Sequence, residues 1–174
     1  MPHDNSTKLK MTMLPPPVGS EVRAFGYHAC SAAVGDQTVT IDWGASTSIG
    51  RVIEIHPERR DSSSLAWPCF RTDARYDGGM SGAPVFDQNN HLCGLVSTSM
   101  PPFEDGESYV SYVTLLWPML AIEIDILRAH HAPGLYPALE LARDGMIAAE
   151  HWEKVAIQRD ATQRIVSATL HHAP

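Results

Sequence analysis

The sequence predicts a mainly β fold followed by C-terminal helices, and three observations predict it. Between residues 20 and 116, six or seven short runs rich in β-branched or alternating residues are separated by turn residues, a spacing that suits a small antiparallel barrel or sandwich. After Trp117 the apolar positions change period: Leu116, Leu120, Ile124 and Leu127 follow helical spacing. The chain has 174 residues, 44% of them hydrophobic, enough for one domain with a real core or a small domain with an appendage.

The elements follow in order. The lead-in "MLPPPVGS" is extended, because its three prolines fix φ and forbid a helix. In "SEVRAFGYH", Val22, Ala24 and Gly26 alternate with Glu21 and Arg23, the pattern of a half-buried strand. "QTVTIDW" and "GRVIEIH" read as two further strands, parted by the small, polar "GASTSIG". "PCFRTDA" follows the loop "PERRDSSSLAW" as a fourth. "APVFD" and "HLCGLVSTS" form a hairpin across "QNN", whose asparagines tolerate left-handed backbone, and "SYVSYVTLL" is the last strand. A closing helix then runs to "RAHHAPG", a second helix opens at Pro137 in "PALELARDG", and "AAEHWEKVA" makes a third with Trp152 and Val155 on one side. "TQRIVSATLHH" suits a helix or a strand.

Charge and composition exclude several classes of function. The formal net charge is −7 and the densest basic spot is the loop-sized "HPERR", which argues against nucleic acid. The longest apolar stretch, "YVTLLWPMLAIEIDIL", is cut by Pro118, Glu123 and Asp125, so no membrane span is expected; the polar N-terminus gives no signal peptide. Cys30, Cys69 and Cys93 make an odd set without close pairing, expected as reduced, buried thiols of a cytoplasmic protein. The adjacent pairs His130–His131 and His171–His172 point their side chains apart, so no metal is expected, nor any other cofactor. The helix–turn–helix rhythm of residues 137–155 carries Glu140, Asp144, Glu150 and Glu153, which suits an adaptor or a packing element rather than DNA.

One stretch points to chemistry: "YDGGMSGAPVFDQNNHLCGLVSTS", residues 76–99. A serine attacks a carbonyl carbon only when a base takes its proton and backbone donors hold the developing oxyanion. The glycines around Ser81 let the backbone turn sharply, so that the N–H groups of Gly79 and Ser81 can converge on one oxygen. The α/β-hydrolase elbow wants glycine two residues after its serine, where this chain has Ala83, and "DGGMSG" lacks the lysine of a phosphate loop.

The longer stretch "FRTDARYDGGMSGAPVFDQNNHLCGLVSTS" resembles the serine-loop region of the chymotrypsin-like serine peptidases, most of all the bacterial trypsin-like branch that includes the HtrA proteases. The shared motif is Gly-x-Ser-Gly-small-Pro, then a hairpin, with "TDA" upstream; "VGSEVRAFGYH" resembles the segment that opens that family's second barrel, so the resemblance spans about residues 18 to 116. It implies that Ser81 is the nucleophile and that the Gly79 and Ser81 amides form the oxyanion hole. It also implies that Ser97 pairs with the substrate backbone, that Thr98 and Ser99 continue that wall, and that Arg75 lies at the floor of the specificity pocket, favouring acidic or amidated side chains. The other reading of Arg75 turns it to solvent or pairs it with Asp73 or Asp77. Met80 replaces the aspartate with which digestive relatives switch on, which excludes that route of activation.

The family takes its triad from two barrels, His and Asp from the first and Ser from the second. Only 17 residues precede the second-barrel segment, so the expectation is the second, C-terminal barrel with the N-terminal barrel absent: a lead-in over residues 1–17, the barrel with its closing helix over 18–129, and a helical extension over 130–174. The implied function is a serine endopeptidase that hydrolyses peptide or protein substrates through an acyl-enzyme, its His and Asp supplied by a missing N-terminal barrel or a partner protein, with the chain alone inactive. The alternative is a catalytically inactive peptidase-like binding or adaptor module. His28 and Asp42 stand in the family's order before Ser81, but on second-barrel strands; His91 sits on the hairpin turn, and His3 and Asp4 on the terminus.

Overall fold

The computed structural model describes residues 9–126 and 134–171. Two compact units divide the chain: Pro15–Leu115, and residues 1–14 together with 116–174. Strand β1 (Met11–Thr12) belongs to the second of these. The larger unit holds β2 (Glu21–Val34), β3 (Val39–His56), β4 (Cys69–Thr72), β5 (Pro84–Phe86), β6 (Leu92–Met100) and β7 (Val110–Leu115). Around the ring the neighbours are β2, β3, β4, β7, β6 and β5, which pairs back onto β2, every pairing antiparallel. The result is a closed six-stranded barrel, the arrangement that removes free sheet edges. Its interior is filled by Val22, Val52, Phe70, Val85, Val96 and Val113, all buried, each worth about 1.5–3 kcal/mol in removal from water.

The sequence predicts two strands parted by "GASTSIG"; the structure has the single eighteen-residue strand β3 instead. The small residues mark close approach rather than a turn. A Cβ on Gly50 would lie 2.5 Å from the Ala74 nitrogen, the Ser48 hydroxyl donates to the Arg75 carbonyl, and the Ser46 hydroxyl donates to the Met80 sulfur at 3.4 Å. The expected β5–β6 hairpin is present, with Asn90 at φ 60° and the Asp87 carboxylate accepting the N–H groups of Asn89 and His91.

The loop before β4 is fastened by a second aspartate. One oxygen of Asp61 accepts the N–H groups of Ser63, Ser64 and Leu65 at 2.9, 2.7 and 3.0 Å, and Leu65 packs with Cys69, Tyr112 and Val110. The Arg60 guanidinium lies 4.9 Å from the centroid of the Tyr112 ring.

Beyond Leu116 the predicted helices are largely corrected. The closing helix is a 3₁₀ turn, Trp117–Ala121, followed by β8 (Glu123–Ile126), because Ile122, Ile124 and Ile126 alternate with two acids and β-branched residues at period two favour a strand. Strand β9 (Gly134–Pro137) pairs with β8. The second helix is present as α1 (Ala138–Arg143), opened by Pro137 and followed by Gly145 at φ 70°. The third is overturned. Strand β10 (Ala149–Glu150) gives way at His151, in the left-handed region at φ 64°, to a 3₁₀ turn, Trp152–Lys154. Next, β11 (Val155–Arg159) pairs antiparallel with β12 (Ile165–Leu170), across a turn whose Asp160 carboxylate accepts the N–H groups of Thr162 and Arg164. Among the described residues the C-terminal region thus has one short α-helix in place of a helical extension, and no helix is long and apolar enough to cross a membrane.

Two outcomes follow from this packing. A Cβ on Gly94 would meet Val113 Cγ1 at 2.4 Å and the Thr114 carbonyl oxygen at 2.7 Å, so Gly94→Ala should destabilise the barrel by about 1–3 kcal/mol in chemical denaturation; an unchanged midpoint would contradict the tight β6–β7 contact. The backbone donors of Leu65 and Ser63 hold the Asp61 carboxyl down at about 2, below its ordinary 3.8. Its contribution is therefore complete above the ordinary value and lost as pH falls through about 2. An NMR titration should show the Asp61 carboxyl and the Ser63–Leu65 amides moving together at that midpoint, whereas an ordinary carboxyl midpoint would remove the clamp.

Candidate active site

Ser81 lies in the turn between β4 and β5, where Gly79 at φ 101° and Gly82 at φ 85° take conformations that other residues resist. Between them Met80 is buried at 1% exposure and points into the barrel. It fills the space left by Gly26, whose Cβ would approach the Ala83 Cβ to 2.9 Å and two Met80 side-chain carbons to 3.3 Å. With Met80 turned inward, its neighbour Ser81 is exposed.

Hydrogen bonds fix the turn from both sides. Met80 N–H donates to the Asp77 carbonyl at 3.1 Å, Ala83 N–H to the Met80 carbonyl at 2.8 Å, and Gly82 N–H to the Val96 carbonyl at 2.8 Å. The N–H groups of Gly79 and Ser81 have no such partner among the described residues. The Ser81 hydroxyl donates to the Ser97 carbonyl at 3.3 Å. Ser97 is the extra residue of a β-bulge, since Val96 pairs with Val113 while Thr98 already pairs with Tyr112. The bulge is placed beside the serine, as such irregularities often are at sites.

The other residues singled out from the sequence fall nearby. Thr98 and Ser99 continue β6, both half-buried. The Ser99 hydroxyl accepts Tyr76 N–H at 3.3 Å and lies 2.7 Å from the buried Ser111 hydroxyl, which donates to the Ala74 carbonyl at 2.6 Å. Ser99 thus fastens the 74–76 segment to β6 and β7. Arg75 projects from that segment with its side chain 65% exposed, Nε 2.8 Å from Asp77 and the guanidinium 5.8 Å from the Tyr109 ring centroid. The Asp77 contact raises its already high pKa further, so it is a permanent cation.

An open cleft of about 410 Å³ borders the turn, lined by Gly79–Pro84 and by Phe25, Gly26 and Tyr27. β5 pairs with β2 only at Arg23 and Ala24, which leaves the β2 backbone from Phe25 onward to form the cleft wall. Sequence reasoning missed these three residues; the signal was two aromatics on the solvent face of the strand, flanking a glycine. His28 and Asp42 do not line the cleft: the His28 ring covers Gly44, where a Cβ would lie 2.7 Å from it, and Asp42 is exposed opposite Ser31. His91 sits on the β5–β6 turn, and His3, Asp4 and the His130–His131 pair lie outside the described residues. No cluster of three metal-ligating side chains occurs among the described residues.

The geometry thus defines a closed antiparallel barrel that presents a serine on a glycine-flanked turn. The model of the trypsin-like peptidase domain family matches residues 7–95, and the chain belongs to that family. The comparison with curated proteins returns no match.

Cys69 and Cys93 have no part in this surface. Both are buried, and the Cys93 thiol donates to the Val85 carbonyl at 3.3 Å. Burial, with Asp87 second, pushes Cys93 up to about 12, and burial raises Cys69 as well. In the folded protein at pH 8 both should resist iodoacetamide and react only after unfolding, read by peptide mass spectrometry; rapid native alkylation of either would contradict the packing.

Proposed function

We propose that this barrel is the serine-bearing half of a trypsin-like serine endopeptidase, with the serine loop of the HtrA-like bacterial branch. The observation that carries the reading is the exposed Ser81 on a turn whose flanking N–H groups, Gly79 and Ser81, stay unengaged while those of Met80, Gly82 and Ala83 are bonded. In this mechanism Ser81 Oγ attacks the scissile carbonyl carbon and its proton passes to an imidazole. The carbonyl oxygen, now an anion, is held by the two amides, each such donor worth about 2.7–4 kcal/mol. The amine leaves with the proton from the imidazolium, and water then releases the acyl group by the same steps in reverse. The imidazole and its aspartate come from an N-terminal barrel or a partner protein. Ser97, Thr98 and Ser99 line the substrate backbone, and Arg75, oriented by Asp77, selects acidic or amidated side chains.

A base is decisive for rate. Removing a triad costs about 10⁶ in turnover and leaves roughly 10³–10⁴ over water from the oxyanion hole and binding. The second reading, a non-catalytic binding or adaptor module, is favoured by one contact: the Ser81 hydroxyl already has a structural use, donating to the Ser97 carbonyl.

A fluorophosphonate probe separates the two. The chain alone, and the chain together with the sequence encoded upstream of Met1, are incubated with probe and mapped by mass spectrometry, beside Ser81→Ala. Label on Ser81, strongest in the extended protein and absent from Ser81→Ala, is the expected result. Folded protein with no label in either form would overturn the nucleophile and leave the binding module.

A further inference from the structure

The β2–β3 hairpin is much longer than the barrel uses. β5 pairs with β2 at Arg23 and Ala24, and β4 with β3 between Val52 and His56, so the hairpin from Phe25 to Arg51 lies beyond both neighbours. Every residue from Ser31 to Trp43 is exposed. A two-stranded ribbon is marginal in water by itself, so an arm of this length calls for cover.

Its two faces differ. A bulge between His28 and Ser31 shifts the register, which places Phe25, Tyr27 and Val34 on the same face as Val39, Ile41 and Trp43. These six side chains are between 46% and 82% exposed. Phe25, Tyr27 and Trp43 meet edge to face, with centroids 5.8 and 6.2 Å apart. At roughly 200 Å² each when fully exposed, the six present on the order of 700 Å², more than the largest patch on most monomers and near the ~800 Å² per partner of a standard interface.

Charge selects the occupant. Between Phe25 and Gly50 the only Asp, Glu, Lys or Arg residues are Asp36, at the turn, and Asp42, which pairs with Ser31 on the opposite face. An acidic or basic partner would find nothing to complement on the apolar face, whereas an identical face meets it without repulsion despite the net charge of −7. We infer that two copies of this chain associate through the apolar faces of their hairpin arms, as an isologous dimer about a two-fold axis. Phe25 and Tyr27 belong both to this face and to the cleft wall, so the partner copy borders the cleft of Ser81.

Sedimentation equilibrium of the whole chain from low to hundred-micromolar concentration tests this. Wild type should be a dimer, Ile41→Lys/Trp43→Lys should weaken it by at least about thirty-fold, and Thr40→Lys, on the other face, should leave it unchanged. If circular dichroism finds the double variant unfolded, Val34→Lys/Val39→Lys at the arm tip takes its place. A wild type that stays monomeric throughout the range, or a folded apolar-face variant with wild-type affinity, would overturn the inference.

Discussion

The serine turn depends on Met80 filling the space that Gly26 and Ser46 leave on the β2–β3 ribbon. A buried methionine is flexible enough to fit an irregular gap and costs several kcal/mol to expose or truncate. Once Met80 points inward, the alternation of the chain turns Ser81 outward, and the left-handed glycines on either side let the backbone follow. The bonds from Met80, Gly82 and Ala83 leave the amides of Gly79 and Ser81 without a backbone partner among the described residues. The same constraint explains the composition of β3. Large side chains at Gly44, Ser46, Ser48 or Gly50 would collide with the His28 ring or with the 74–80 segment.

That dependence marks what was legible in the sequence. The barrel strands, the β5–β6 turn and the sharp turn around Ser81 could be read because each carries a local signal: alternation, asparagines, glycines that take left-handed backbone. "GASTSIG" was misread because small polar residues signal a turn locally and a close contact only in three dimensions. Helical spacing beyond Trp117 lost to alternating isoleucines, and His151 in a left-handed conformation broke what "AAEHWEKVA" promised. Arg75 shows the limit differently. Whether its guanidinium meets a substrate or Asp77 depends on a side-chain torsion that no local signal fixes, and the ion pair with Asp77 is what the fold contains.

The cleft wall was the least legible part. Phe25 and Tyr27 look like ordinary outward residues of a half-buried strand, and only the early end of the β5 pairing at Ala24 exposes their backbone to the serine turn. The same residues begin the apolar face of the arm. Surface chemistry near Ser81 is thus set by the hairpin's length as much as by the loop that bears the serine.

The alternating engagement of the serine-turn amides is the most direct signature of a turn pinned by Met80. Hydrogen exchange followed residue by residue by NMR measures it without substrate or partner. The N–H groups of Met80, Gly82 and Ala83 should be protected well above those of Gly79 and Ser81, and Met80→Ala should erase the contrast. Uniformly fast exchange across residues 79–83 in the folded wild-type chain would contradict a turn pinned by Met80.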